Sequence, residues 1–282
     1  STCRAALIAW MLAWALQACG GASSSSTGSV RLLNATSAYP SLDLRVSGTS
    51  IISGVKAGTV SGYVERDAVS TAFQLAATGS ATTLLTQVNA VSEGDAFTLL
   101  AYVTDGAMHA VFLGDSADAP TSGTFKFRSF NASNEAGSLD VYITDAKDTS
   151  DLSTQTPVNA SVSGESFGGY NELGAGTYRI RVTGAGDPSD LRFDLASITL
   201  TDQTIATLVL TSTDGGVLVN AILVNQGGDA AAHLNPQVRV RLEADTTLNA
   251  RLTLGDGSTT ISTQTSPSVG AYVNATPGSL KL

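Results

Sequence analysis

Residues 127–143 read FRSFNASNEAGSLDVYI, and residues 30–48 read VRLLNATSAYPSLDLRVSG. Both stretches give an apolar run, an Asn-Ala pair, a polar gap and a Leu-Asp-Leu/Val run, in that order. Leu33-Asn34-Ala35 aligns with Phe130-Asn131-Ala132. Leu42-Asp43-Leu44 aligns with Leu139-Asp140-Val141 at the same offset, about 97 residues. Self-similarity at a fixed offset marks a repeated structural unit.

Outward from these stretches the chain alternates apolar and polar residues in short runs: Val30–Leu33, Leu42–Val46, Phe97–Val103, Phe125–Phe130, Leu139–Ile143, Tyr178–Val182 and Ala206–Leu210. Gly, Asn, Asp and Pro break them. Period-two runs with polar turns every dozen residues or so predict β-sandwiches. Nothing beyond residue 29 has the spacing of an amphipathic helix. Gly62-Tyr63 matches Gly169-Tyr170, with an insertion in the second copy. The insertion falls in the polar stretch Asp145–Pro157, which reads as a longer loop.

A third copy starts near Val238. Gly270-Ala271-Tyr272 answers Gly168-Gly169-Tyr170, and residues 277–282 answer 175–180. The third copy stops at about half the length of the others. Half a sandwich leaves sheet edges and apolar faces uncovered. The expectation is therefore a piece of a longer protein; the alternative is a half-domain completed by a strand from another chain.

The N-terminus gives a different signal. Arg4 precedes the uncharged apolar run Ala5–Leu16, which is followed by Gln17-Ala18-Cys19-Gly20 and a serine tract. The run is of signal-peptide length and too short for a bilayer, which needs about 20 residues. Leu16-Gln17-Ala18-Cys19 resembles a bacterial lipobox, with Gln17 a less usual residue at its place. The resemblance implies a diacylglycerol on the Cys19 thiol, cleavage before it and acylation of the new amine. Each buried CH₂ contributes about 0.8 kcal/mol, and two or more chains anchor stably. Gly20, where inner-membrane lipoproteins typically carry Asp, points to the outer membrane. The competing reading is a plain secretory signal peptide. Cys3 falls in the discarded segment, so no intramolecular disulfide is expected.

Composition limits the function classes. Charged residues are 14% of 282, apolar residues 43%, and the net charge is −9. Loss of Arg4 with residues 1–18 makes it −9 − 1 = −10. An acidic chain without a basic patch is a poor ligand for nucleic acid or anionic lipid.

The motif set — an opening strand ending in Asn-Ala, a Leu-Asp-Leu/Val strand, Ser/Gly-Gly-Tyr, then Ala-Gly-Thr-Tyr — resembles the bacterial domain-of-unknown-function family numbered 4397. The resemblance covers nearly all of residues 30–282. It implies tandem Ig-like sandwiches in a secreted or lipid-anchored protein, and no catalytic residues. Copy one departs from it at Val69-Ser70-Thr71-Ala72-Phe73, where Ala-Gly-Thr-Tyr is expected.

Several residues invite a chemical reading. Gly164-Glu165-Ser166-Phe167-Gly168 has the pattern of a nucleophile elbow. An elbow needs a parallel strand before it and a helix after it, and the surrounding residues predict an inter-strand turn. Asp145, Asp148 and Asp151 lie at spacing three on one loop and are weak Ca²⁺ candidates; a solvated acidic loop is the plainer reading. Gly114-Asp115 and Gly255-Asp256-Gly257 read as turns. Asn34, Asn131, Asn159 and Asn274 each open an Asn-Ala-Ser/Thr triplet and read as strand-end residues bonding local backbone. His109 and His233 have no metal-binding neighbours at ligand spacing. Tyr63, Tyr170 and Tyr272 recur and read as core or corner tyrosines, with stacking on sugars the alternative.

The expected molecule is all-β: tandem Ig-like antiparallel sandwiches behind a signal-peptide helix. Residues 1–18 form the signal peptide, 19–29 the lipidated Cys19 and tether, 30–122 and 123–236 two repeats, and 237–282 a partial third. The function expected is a lipid-anchored, non-enzymatic scaffold or binding module at the outer membrane or cell surface. It has no cofactor, no nucleic-acid partner and an unassigned protein or glycan ligand, and its repeats extend a binding end from the membrane. An adhesin binding a glycan or protein, with or without Ca²⁺, is the alternative, and a serine esterase centred on Ser166 the distant one.

Overall fold

The computed structural model describes residues 26–214, 216–245, 249–254, 260–276 and 280–281. Cys19, the signal peptide and Gly255-Asp256-Gly257 lie outside the described residues.

The first copy supplies eight strands: β1 (Thr27–Asn34), β2 (Ser41–Val46), β3 (Thr49–Lys56), β4 (Val64–Asp67), β5 (Ser70–Ala77), β6 (Leu85–Ala90), β7 (Ala96–Thr104) and β8 (Ala107–Gly114). They form two sheets, ordered β4-β1-β7-β8 and β3-β2-β5-β6. β1 begins at Thr27, so the last residues of the expected tether are strand, paired with β4 through Thr27↔Asp67. Two hairpins turn on residue pairs with positive φ, Ser47-Gly48 (52° and 78°) and Asp105-Gly106 (51° and 73°). That backbone matches the strand twist in two-residue hairpins.

The second copy repeats the plan with β9 (Thr124–Asn131), β10 (Leu139–Asp145), β11 (Asn159–Val162), β12 (Ser166–Phe167), β13 (Asn171–Gly174), β14 (Gly176–Gly184), β15 (Asp187–Leu200), β16 (Ile205–Ser212), β17 (Val219–Asn225) and β18 (Ala230–His233). One sheet runs β11-β10-β14-β15. The other runs β12-β9-β16-β17-β18, with β13 also on β9. The inserted loop carries a 3₁₀ turn, Leu152–Thr154, capped by Asp151. The sheets are antiparallel except where β1 meets β7 and β9 meets β16, which run parallel.

Beyond these, β19 (Val238–Val240), β20 (Glu243–Ala244), β21 (Ala250–Leu254), β22 (Thr260–Gln264), β23 (Ser268–Val269), β24 (Val273–Ala275) and β25 (Leu280–Lys281) form small antiparallel pairings.

Each sandwich has its own core. Leu32, Leu44, Phe73 and Leu99 are buried in the first, and Phe127, Val141, Val182 and Leu208 in the second. A third core lies between the sandwiches. Leu33, Ala35, Leu100, Tyr102 and Leu113 pack on Phe130, Ala132, Val209, Ile222 and Val224. Leu33 and Phe130 hold the same place in the two copies, as do Ala35 and Ala132. The copies therefore meet through the same face, and four sheets stack in layers. The physical reason is that β1, β7, β9 and β16 bury both faces, which apolar residues on successive positions make favourable.

Candidate functional site

The two repeat asparagines are framework residues. Asn34 is fully buried and donates from Nδ2 to the carbonyls of Tyr39 and Val55, at 3.1 and 3.0 Å. Its Oδ1 accepts from the Thr36 N–H and hydroxyl. Asn131 does the same with Gly137 and Val162, and its Oδ1 accepts from the Ser133 N–H. The repeat aspartates are alike in use. Asp43 accepts from the Gly54 N–H and Thr78, and Asp140 from the N–H groups of Ser161 and Gly186. The other two triplet asparagines work differently. Asn159 bridges Ser129 to Gly169, and Asn274 donates to the Leu191 carbonyl.

Arg31 and Arg128 share a repeat position between the sandwiches. Arg31 Nε donates to Thr98 Oγ1 at 2.7 Å, and Arg128 Nε donates to Thr207 Oγ1 at 3.1 Å. Each guanidinium covers a repeat tyrosine: Arg31 lies 4.7 Å from the Tyr63 ring centroid, Arg128 4.4 Å from that of Tyr170. In the third copy Arg241 lies 5.0 Å and Arg239 5.4 Å from the Tyr272 ring. The same backbone contact precedes each tyrosine: Ser61 N–H to Leu32, Gly168 N–H to Ser129, and Gly270 N–H to Leu242. The tyrosines are thus platforms for arginine rather than core residues. Tyr170 is 38% exposed and Tyr272 51% exposed. A cation over the ring face is stabilised without burial of the tyrosine.

The two arginines end differently. Arg31 is 2% exposed; Nη1 and Nη2 donate to the carbonyls of Gly228 and Asn225, at 2.5 and 2.9 Å. Asp115 Oδ2 stands 3.5 Å from Arg31 Nε and accepts from Tyr63 Oη and Thr98 Oγ1. Burial, then the Asp115 carboxylate, pushes the Tyr63 hydroxyl up to about 12. Around Arg128 the place of Asp115 is taken by Gln226, which bonds the Ala117 backbone instead. Both residues are fixed by the same strand-end bond, Asp115 N–H to Ala96 and Gln226 N–H to Ile205. The Arg128 terminal nitrogens have no hydrogen-bond or ion-pair partner among the described residues, and are not sealed from water. Phe167, 38% exposed, covers the guanidinium at 4.7 Å. Burial lowers the Arg128 pKa, and Tyr170 and Asp115 oppose that shift.

Glu135 and Glu165 clamp the sandwiches together. Glu135 accepts from Thr104 Oγ1 and the Asp105 N–H of the first sandwich, and from Ser133 and Ser212 of the second. Glu165 accepts from Tyr102 Oη at 2.9 Å and lies 2.8 Å from His109 Nδ1. His233 Nε2 is buried without a hydrogen-bond partner among the described residues, and burial lowers that group's pKa.

Ser166 starts the edge strand β12, antiparallel to β9, and its hydroxyl donates to the Gly164 carbonyl. No helix follows it among the described residues, and the turn before it joins β11 of one sheet to β12 of the other, so the geometry is an inter-strand turn and not an elbow. Asp145, Asp148 and Asp151 do not converge. Each accepts from the N–H two residues on, at Lys147, Ser150 and Ser153. Among the described residues no group of three or more His, Cys, Asp or Glu is placed to hold a metal ion. Separate Asx turns use the carboxylates.

Two concavities stand out. One of about 670 Å³ lies between β17 and the third copy, with Leu218, Asn220, Leu234, Arg239 and Tyr272 in its wall. A second, of about 430 Å³, lies at the sandwich edge between β11 and β12, walled by Phe167, Tyr170, Asn159, Ser161 and Ser163.

Residues 28–142 match the family model described as Domain of unknown function (DUF4397), the family that the repeat motif resembles. The match runs from β1 into β10 and covers the whole first sandwich. No curated protein matches the chain. Among solved structures, a leucine-rich repeat protein from Bacteroides thetaiotaomicron is 15% identical, over 65% of this chain and 26% of that one, with a TM-score of 0.19. The chain spans about a quarter of that protein's length, and so low a score carries no argument about fold or function.

Proposed function

We propose that the chain is a non-enzymatic binding and scaffold module of the bacterial cell envelope, anchored by lipid on Cys19. One observation carries the non-enzymatic part. The polar residues that recur between copies — Asn34 and Asn131, Asp43 and Asp140 — have their hydrogen-bonding groups turned to backbone or neighbouring hydroxyls. A repeated polar group used to lock a frame is not free to move protons or bind a reacting atom. The anchor rests on the lipobox resemblance of residues 16–19. No described helix is long and apolar enough to cross a membrane.

The anchor is tested by feeding cells radiolabelled palmitate. Label should enter the native protein and be lost with Cys19→Ser, which should also move the protein out of the detergent-extracted membrane fraction. Equal labelling of both proteins would sink the anchor. The non-enzymatic reading is tested with short-chain nitrophenyl esters. Hydrolysis abolished by Ser166→Ala would return the esterase reading.

A further inference from the structure

We propose that Arg128, which lies against Phe167 and Tyr170, is the carboxylate anchor of a binding site for an acidic glycan built of uronic-acid units. The proposal rests on the binding-module reading and names its ligand class.

The repeat itself provides the control. Arg31 and Arg128 share a strand position, a threonine partner and a stacked tyrosine. Arg31 Nη1 and Nη2 donate to two carbonyls, and the Asp115 carboxylate stands 3.5 Å from Nε. Arg128 keeps the platform and has no such partners among the described residues. Rings lie 4.7 and 4.4 Å from Arg128 Cζ, and the terminal N–H groups are left for an outside acceptor. A guanidinium is a planar fork of N–H donors, the geometry that takes a carboxylate through two parallel bonds.

Local charge agrees. Asp115 is the carboxylate that acts on Arg128, and it is engaged by Arg31, Tyr63 and Thr98. Two guanidiniums against one carboxylate leave a positive balance in a chain whose net charge is −9.

The neighbouring cleft decides between a sugar and a peptide. Phe167 and Tyr170 also wall the 430 Å³ edge cleft, whose other lining includes exposed Ser161 and Ser163 and half-buried Asn171. Hydroxyl and amide groups around an exposed aromatic suit a polyhydroxylated ring, with its C–H face on Tyr170. Of its other apolar residues Val158 packs on the second core and Val162 is buried, so beyond Phe167 and Tyr170 the cleft offers little apolar surface to peptide side chains.

The test is calorimetric titration of the full chain with trigalacturonate, beside neutral galactotriose and triglutamate. Trigalacturonate should bind, more weakly at high salt. Arg128→Gln and Tyr170→Ala should each weaken it about tenfold or more, while the exposed-site control Lys56→Gln changes nothing. Arg128→Lys keeps the charge and loses the fork. It should lose most of the affinity at an unchanged melting temperature, and it decides the matter if Arg128→Gln does not fold. The proposal is overturned by no binding of trigalacturonate, by equal binding of galactotriose or triglutamate, or by affinity that survives Arg128→Gln and Arg128→Lys. Absence of glycan binding would leave the anchor untouched, because palmitate labelling at Cys19 tests it separately.

Discussion

The Arg31 guanidinium and the Asp115 carboxylate stand 3.5 Å apart with side chains only 2% and 7% exposed. They lie in the first sandwich, yet the same guanidinium bonds the Asn225 and Gly228 carbonyls of the second. Removing one partner of a buried pair leaves the other charge uncompensated, which costs about 3–5 kcal/mol. Arg31→Ala should therefore destabilise by about that amount in urea unfolding. Arg31→Met combined with Asp115→Asn should cost less than Arg31→Ala alone. A double variant at least as destabilised would show that the charges are not the coupled unit.

Asn34 and Asn131 make a second, paired prediction. Each is 0% exposed and satisfies carbonyls and an N–H of the chain that turns around it. Alanine at either site strands several buried polar groups, at about 1–3 kcal/mol for each group left unpaired. The two substitutions should be similar in cost and close to additive, because they lie in different sandwiches. A near-neutral Asn34→Ala would contradict its role as the turn's lock.

The strands and their repeat were legible because alternation and the 97-residue offset sit in the residues themselves. Asn34 and Asn131 could be read as strand-end locks because they held matching places. The third core was not read, although it left a mark. Residues 97–103, FTLLAYV, and 206–210, ATLVL, are closer to continuous apolar runs than to alternating ones. Continuous runs belong to strands buried on both faces, and the second face is where Leu100 and Val209 join the two sandwiches. Arg31 and Arg128 lie inside the aligned stretches, but an arginine in a short apolar run carries no signal by itself of which groups will surround it. The placement of Tyr63 and Tyr170 beneath them depends on strands far apart in sequence, so spacing alone could not give it. The same holds for the carboxylates at 145, 148 and 151: regular spacing suggested convergence, and separate Asx turns prevent it.

Glu135 makes acid sensitivity predictable. Burial pushes its carboxyl up, but hydrogen bonds from Ser212, its own N–H, Thr104 and the Asp105 N–H more than offset that, so its pKa falls to about 2 from the usual 4.5. A lowered folded-state pKa gives stability that is present above about pH 4.5 and is lost as pH falls toward 2. Melting temperature should fall over that window, and Glu135→Gln should flatten part of the fall. An unchanged slope in Glu135→Gln would remove Glu135 from the account.

The Asp145–Asp151 loop should be indifferent to Ca²⁺. A ligand that binds only the folded state raises its melting temperature. Millimolar CaCl₂ should leave that temperature where it is with EDTA, and replacing Asp148 with Asn should not change the comparison. A Ca²⁺-dependent rise lost in Asp148→Asn would restore the metal reading.

The central claim is that the two sandwiches form one folded unit through the face shared by Leu33 and Phe130. Scanning calorimetry tests it most directly. Residues 27–233 should unfold in one transition, with calorimetric and van't Hoff enthalpies equal for the combined unit. Arg31→Ala should split or broaden that transition. Two separate transitions in the unaltered chain, each with the enthalpy of a single sandwich, would contradict the account.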